Sequence, residues 1–415
     1  MQNNARVKYA CYTANLSMSI VGNLSPILFV TFRNLYGISY SLLGMLVLVN
    51  FVTQLIVDVL FSFFSHKFNI PVCVKLTPVL VILGLLVYAL YPLFLPQTAY
   101  VGLVIGTIIF SAAGGFGEVL ISPVIAALPS DNPEREMSKT HSIYAWGVVG
   151  VIVIGTLYLL GVGEIWWQYL ALGFTAIPLV SAILFLGAKL PTMETPEKVS
   201  GVVEFMKNKT LWLCVLAIFL GGATECTMAQ WSSSYIEQAL QIPKVWGDIF
   251  GVALFGMMLG IGRSLYAKMG KNIEKFLFLG ALSATVCYVT AAVSGIAVIG
   301  LLACGLTGFC ASMLWPGTLI VAADKMPTGG VFMYALLAAG GDLGASVAPQ
   351  LVGIIADGVT ASAPLAELAL SWGMTAEQLG MKAGILVGAV FALLATLVFG
   401  YILKTKKKTT ISIEK

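Results

Sequence analysis

Residues 276–323 read FLFLGALSATVCYVTAAVSGIAVIGLLACGLTGFCASMLWPGTLIVAA, without a single Lys, Arg, Asp, Glu or His. The stretch divides at a short turn, Ser294-Gly295-Ile296, into apolar runs near 275–294 and 296–323. A helix needs about 20 apolar residues to cross the ~30 Å hydrocarbon core of a bilayer. Each run therefore predicts one transmembrane helix. Working outward, runs of the same kind recur near 9–32, 39–64, 72–94, 99–128, 140–162 and 166–188, and again near 210–239, 246–266, 330–357 and 382–403. The expectation is an all-α membrane protein of twelve transmembrane helices in two six-helix bundles. The bundles are residues 1–188 and 210–415, joined by a cytoplasmic linker, 189–209, and the second ends in a basic cytoplasmic tail.

Composition agrees. Hydrophobic residues fill 59% of the 415 positions and charged residues 10%, against about 25% charged in a soluble domain. The net charge of +4 comes from basic residues scattered through short loops, which argues against a nucleic-acid partner. With both termini in the cytoplasm, 20 of the 23 Lys and Arg residues fall on the inner side, leaving Arg33, Lys244 and Lys382 outside. That is the bias of the positive-inside rule. Arg6 and Lys8 precede an apolar run from about Tyr9 to Phe32, longer than the ~7–15 residues of a signal-peptide core, so it reads as a retained first span. The expected location is the cell membrane, multi-pass, with the lipid bilayer as partner and a monomer as the working unit.

No metal site and no cofactor are expected. The seven cysteines form no CxxC pair, there are two histidines, and no GxxxxGK[ST] phosphate loop occurs. No nucleophile and base are paired as an enzyme would need. An intramembrane enzyme or sensor is therefore the remote alternative.

Ionisable groups inside a span are costly and mark function or a structural pairing. Glu118, after Gly114-Gly115-Phe116-Gly117, Glu225, after Gly221-Gly222-Ala223-Thr224, and Asp342, between Gly341 and Leu343, are the three candidates for a coupling or proton site. Asp58 and Arg263 lie towards span ends and read as gating or loop-anchoring groups. Asn23, Asn50, Gln54 and Gln230 are neutral hydrogen-bonding groups within spans, and Trp231 and Trp315 are aromatic surfaces there. Amides, a carboxylate and an aromatic plate suit a sugar or a similar polar solute. Trp231 reads equally as a residue of the interfacial belt.

The halves echo each other. At an offset of 193, Gly115, Phe116, Pro123 and Asp131 match Gly308, Phe309, Pro316 and Asp324. With six spans on either side, this suggests parallel repeats, the arrangement of the major facilitator superfamily. Gly262-Arg263-Ser264-Leu265-Tyr266-Ala267-Lys268-Met269-Gly270-Lys271 resembles that superfamily's signature loop. In the first-half counterpart, 58–75, Asp58 and Lys67 survive.

The chain also resembles the fucose:proton symporter family. The resemblance rests on Phe32 through Gly44, on Gly117-Glu118 followed by Ser122-Pro123, on Glu225 through Trp231, and on Trp315-Pro316. It implies secondary transport of a small polar solute, a sugar or related metabolite, by alternating access coupled to a proton or sodium ion. It further implies that Glu118 and Glu225 face one central cavity. Three departures stand out. Pro26, with Asn23 nearby, occupies the place of the family's first-span aspartate; Ser122 replaces an asparagine; Asp342 has no family counterpart. Proton-driven efflux of a drug or amphiphile is the alternative within the same class.

Overall fold

The computed structural model describes residues 2–64, 67–129, 133–191, 206–269, 272–326 and 330–413. His66, Asp131, residues 192–205 of the linker, and Gly270-Lys271 of the signature-like loop lie outside these, as do the side chains of Ser122, Pro123 and His141. The described chain is helical: α1 Gln2–Ile27, α2 Phe29–Tyr36, α3 Tyr40–Phe64, α4 Ile70–Phe94, α5 Ala99–Ala127, α6 Pro133–Val162, α7 Trp167–Phe174, α8 Ala176–Phe185, α9 Lys209–Gln238, α10 Leu254–Met269, α11 Ile273–Val293, α12 Ala297–Ala311, α13 Leu314–Lys325, α14 Gly330–Ala361, α15 Ala363–Ser371 and α16 Ala376–Ile413.

Local chemistry sets the breaks. Pro26 offers no N–H and crowds the preceding turn, and α1 and α2 meet at 47° just beyond it. Gly37 ends α2 in the left-handed region (φ 66°), returning its N–H to the Arg33 carbonyl. Asn69 caps α4 by accepting from the Val72 N–H at 3.3 Å. Helix α10 is entered through a turn, Lys244–Gly247, and a π-helical stretch, Asp248–Ala253. There the Lys244 ammonium sits 3.2 Å from the buried Asp248 carboxylate and donates to Ser233 Oγ at 2.9 Å. The sequence expects a capping box at Thr375–Gln378 opening a short helix before the last span. The box is present, with Gln378 N–H donating to Thr375 Oγ1 (3.1 Å) and Thr375 N–H to Gln378 Oε1 (2.9 Å). It opens α16, the last span itself.

Ten stretches among the described residues are long and apolar enough to cross a membrane, or eleven with the bent pair α1–α2 as one span. The sequence expects twelve. Among the described residues α6 contributes a shorter apolar stretch, Trp146–Val162.

The chain forms two compact units: residues 1–38 with 49–200, and residues 39–48 with 201–415. In the first, Val7, Ala10, Ala14, Val74, Val124 and Phe185 share an apolar core. Arg6 donates from Nε and Nη2 to the carbonyls of Leu184 and Ile183, at 2.8 and 3.0 Å, satisfying carbonyls that the end of α8 leaves open. An aromatic cluster closes another part of the unit. Phe32 meets the fully buried Trp167 edge to face at 4.9 Å, and Tyr88 shares a 2.8 Å hydrogen bond with Ser25.

In the second unit, Leu211, Ile218, Leu277, Leu314, Leu337 and Phe399 are core residues. Its polar closure lies where the first turns of α3 meet α14. The Asp357 carboxylate accepts from the backbone N–H groups of Tyr40 (3.1 Å) and Ser41 (2.6 Å), two donors that the start of α3 leaves unsatisfied. Tyr40 donates its hydroxyl to Glu377 at 2.6 Å, and Gln350 donates to the Ser41 carbonyl at 3.2 Å. A negative group at a helix N-terminus also meets the positive end of the helix dipole.

Gly344 brings α14 directly onto the backbone of α9: a Cβ there would collide with the Phe219 carbonyl and come within 3.1 Å of the Ala223 nitrogen. Backbone cannot rotate away as a side chain can. Gly344→Ala is expected to cost about 1–3 kcal/mol through overpacking. A thermal melt in detergent should show a lowered midpoint, and an unchanged midpoint would mean that the two helices can separate freely.

Candidate functional site

The first unit places a polar row along the α3–α5 contact. Asn50, Gln54 and Asp58 are spaced four residues apart and so share one face of α3. Opposite Asn50, Ser111 donates to its Oδ1 at 2.5 Å, and Gln54 donates to the same oxygen at 3.1 Å. Opposite Gln54 is Gly114, where a Cβ would lie 2.8 Å from Gln54 Oε1; Gly115 is as tightly set against Val57. These glycines let the helices approach closely enough for short side chains to meet. One turn on, carboxylate oxygens of Asp58 and Glu118 lie within 4.8 Å of each other. Asp58 is buried and Glu118 is exposed. Glu118 falls four residues after Gly114, on the face turned to α3. Asp58, read from sequence as an anchoring group near a span end, is therefore a neighbour of the coupling candidate.

The second unit pairs two candidates that the sequence kept apart. Glu225, near the middle of α9, accepts from Arg263 Nη2 at 3.1 Å (Oε1) and 3.4 Å (Oε2). Arg263 Nε donates to the Ser312 carbonyl at 3.0 Å. Arg263 belongs to the last turns of the candidate span Lys244–Tyr266, but its long side chain carries the guanidinium to Glu225. A Cβ at the neighbouring Gly262 would strike Ser312, so α10 lies directly on the junction between α12 and α13. The pair is not sealed: the side chains are 39% (Arg263) and 16% (Glu225) exposed.

Trp315, half-buried, lays its indole over Gly222 and Gly341, whose missing side chains leave room for the ring. Asp342, next to Gly341, is 3% exposed and Gln230 6%. Trp231 is fully buried, donates Nε1–H to the Pro349 carbonyl at 2.9 Å and meets Tyr40 edge to face at 5.9 Å. It has no open face for a ligand to stack on and braces α9 against α14. Asn23 turns back on its own helix, donating to the Ser19 carbonyl at 2.9 Å.

Sequence reasoning missed Ser111, Ser312, Tyr40 and Glu377 as polar partners. Ser111 and Tyr40 are ordinary span residues without a distinguishing pattern, and Ser312 acts through its backbone. Glu377 stood inside the capping-box motif, which accounts for its backbone neighbours and gives no hint of Tyr40.

The sequence matches the profile of the Major Facilitator Superfamily over residues 10–349. No curated protein matches the chain in sequence. Among solved structures, a D-xylose-proton symporter superposes with a TM-score of 0.74 at 14% identity, covering 95% of this chain and 96% of that one. A nucleoside transporter superposes at 0.73 with 10% identity and coverage of 96% and 99%. The E. coli fucose:proton symporter superposes at 0.58 with 15% identity and coverage of 94% and 98%. At these identities the likeness is one of fold.

Proposed function

The chain belongs to the major facilitator superfamily, a family of transporters rather than enzymes, and on that premise we propose that it moves a small polar solute across the cell membrane by alternating access coupled to a proton. The observation that carries the coupling is the Asp58–Glu118 pair, two carboxylates within 4.8 Å on facing helices inside apolar spans. Chains of acidic groups within membrane spans are the usual material of proton relays. At this separation one water can bridge the two oxygens and pass a proton between them. The polar row from Asn50 and Ser111 leads along the same helix contact. A sodium-coupled cycle and efflux of an amphiphile are the competing readings. The solved relatives named as a xylose-proton and a fucose:proton symporter favour proton coupling and a sugar-like solute.

The test is uptake by purified protein in proteoliposomes under an imposed proton or sodium gradient, screened across sugars, sugar acids and nucleosides. Accumulation driven by the proton gradient supports the reading. Accumulation driven by sodium alone, or export only, refutes it.

The twelve-span topology with both termini inside belongs to the same proposal, α1–α2 and α6 each counting as one span. In a cysteine-free background, Lys407→Cys should react with an impermeant thiol reagent only after the membrane is opened. Glu367→Cys, on the exposed face of α15, should react in intact cells. The opposite pattern at either position would break the alternation of charged loops on which the topology rests.

A further inference from the structure

The geometry of Arg263 points to a site for an anionic solute: we infer that the transported molecule carries a carboxylate, which docks on Arg263 in the place now held by Glu225. This deepens the transport proposal above and rests on it.

Arginine–carboxylate pairs are frequently bidentate, with two parallel N–H···O bonds, one from each of two nitrogens. Here both Glu225 oxygens converge on a single nitrogen, Nη2. The Nε edge is occupied by the Ser312 carbonyl, which fixes the plane of the guanidinium. Nη1, with its two N–H donors, has no partner among the described residues. The group is thus held in a defined orientation with part of its binding capacity unspent. It is also accessible, since 39% of the side chain is exposed, and a cation within a span that keeps open donors is expensive unless an anion can use them.

Glu225 fits the part of a built-in substitute ligand. It neutralises Arg263 when the site is empty and, being held by one nitrogen, gives way to a ligand that can use two. A planar carboxylate matches the open Nη1–Nη2 fork, which a neutral sugar hydroxyl cannot fill equally well. Trp315, three residues beyond Ser312 on the same stretch of chain, supplies a half-buried indole for the carbon skeleton. A sugar acid combines the two features. In this assignment Glu225 is the counter-ion that the solute displaces, rather than the acceptor of its hydroxyls.

The test is binding to purified protein, read as a ligand-induced thermal shift converted to apparent Kd. The probes are D-glucuronate, D-gluconate and L-lactate, each set against its uncharged counterpart, D-glucose, D-glucitol and propane-1,2-diol. At least one carboxylate should stabilise the wild type where its counterpart does not. Glu225→Gln frees the fork and should tighten that carboxylate about ten- to hundredfold, the worth of one charged hydrogen bond. Arg263→Gln should weaken it by a similar factor. Because Arg263→Gln leaves Glu225 without its partner and can unfold the protein, the double variant Glu225→Gln with Arg263→Gln restores neutrality and should also fail to bind. Carboxylate binding that survives in the double variant, binding of the neutral counterparts alone, or no shift by any carboxylate in either the wild type or Glu225→Gln overturns the inference. Failure of the transport reading looks different: a carboxylate that binds as expected but is never accumulated under a proton gradient leaves the anion site standing and removes the coupling.

Discussion

Glu118→Gln is expected to abolish concentrative uptake while leaving exchange of solute across the membrane nearly intact. The glutamine side chain keeps the shape of the acid and one of its acceptor oxygens but cannot take up and release a proton. If the proton rides on the Asp58–Glu118 pair, the variant still binds solute and still alternates, yet the gradient no longer drives it. The effect is large because it removes the whole driving force. With one proton per solute, a gradient of ~1 pH unit holds about 1.36 kcal/mol, enough for about tenfold accumulation. In the variant, internal and external concentrations should become equal. Counterflow of labelled solute, which needs no gradient, should continue. Loss of counterflow as well would make Glu118 a binding or structural residue, and wild-type accumulation would remove it from the coupling path.

The second large effect is expected at Asp357. Its carboxylate accepts both N–H groups that open α3, and Gly353 allows the approach, since any Cβ there would run into the Tyr40 carbonyl. Asp357→Ala strips both acceptors at once. Hydrogen bonds to a charged group are worth about 1.5–3 kcal/mol each, and the loss of a helix cap about 0.5–2 kcal/mol. The two estimates overlap in what they count, so the expected destabilisation is about 2–5 kcal/mol. Asp357→Asn keeps one acceptor oxygen and should lose about half of that. Glu377→Gln, which still accepts from the Tyr40 hydroxyl, should do least. Thermal melts of the three variants check the order. Equal melting temperatures for Asp357→Ala and the wild type would mean that water satisfies the start of α3 as well as the carboxylate does.

The sequence shows the spans because the bilayer imposes one requirement, a long apolar run, that composition reveals directly. Polar residues within the spans also stand out, because an acid or amide among leucines is conspicuous whatever its partner. The four-residue spacing of Asn50, Gln54 and Asp58 can be read as one helix face. Pairings between helices cannot be read in this way. Glu225 and Arg263 meet only because Gly262 lets α10 settle on Ser312, and the third partner is a backbone carbonyl that every residue type possesses. For the same reason Arg263 reads as an anchor from its place near a span end, while a side chain of that length puts its charge elsewhere. Trp231 fails in the opposite direction: an indole near a span end fits the interfacial belt, yet the structure buries it on Tyr40 and Pro349.

Proton movement evoked by solute is the most direct test of coupled transport. Proteoliposomes loaded with a pH-sensitive dye, with equal pH on both sides, receive D-glucuronate or D-glucose from outside. Interior acidification on adding a solute, present with the wild type and absent with Glu118→Gln, is the expected result. Solute entry without any change of interior pH, or acidification by Glu118→Gln equal to that of the wild type, would contradict it.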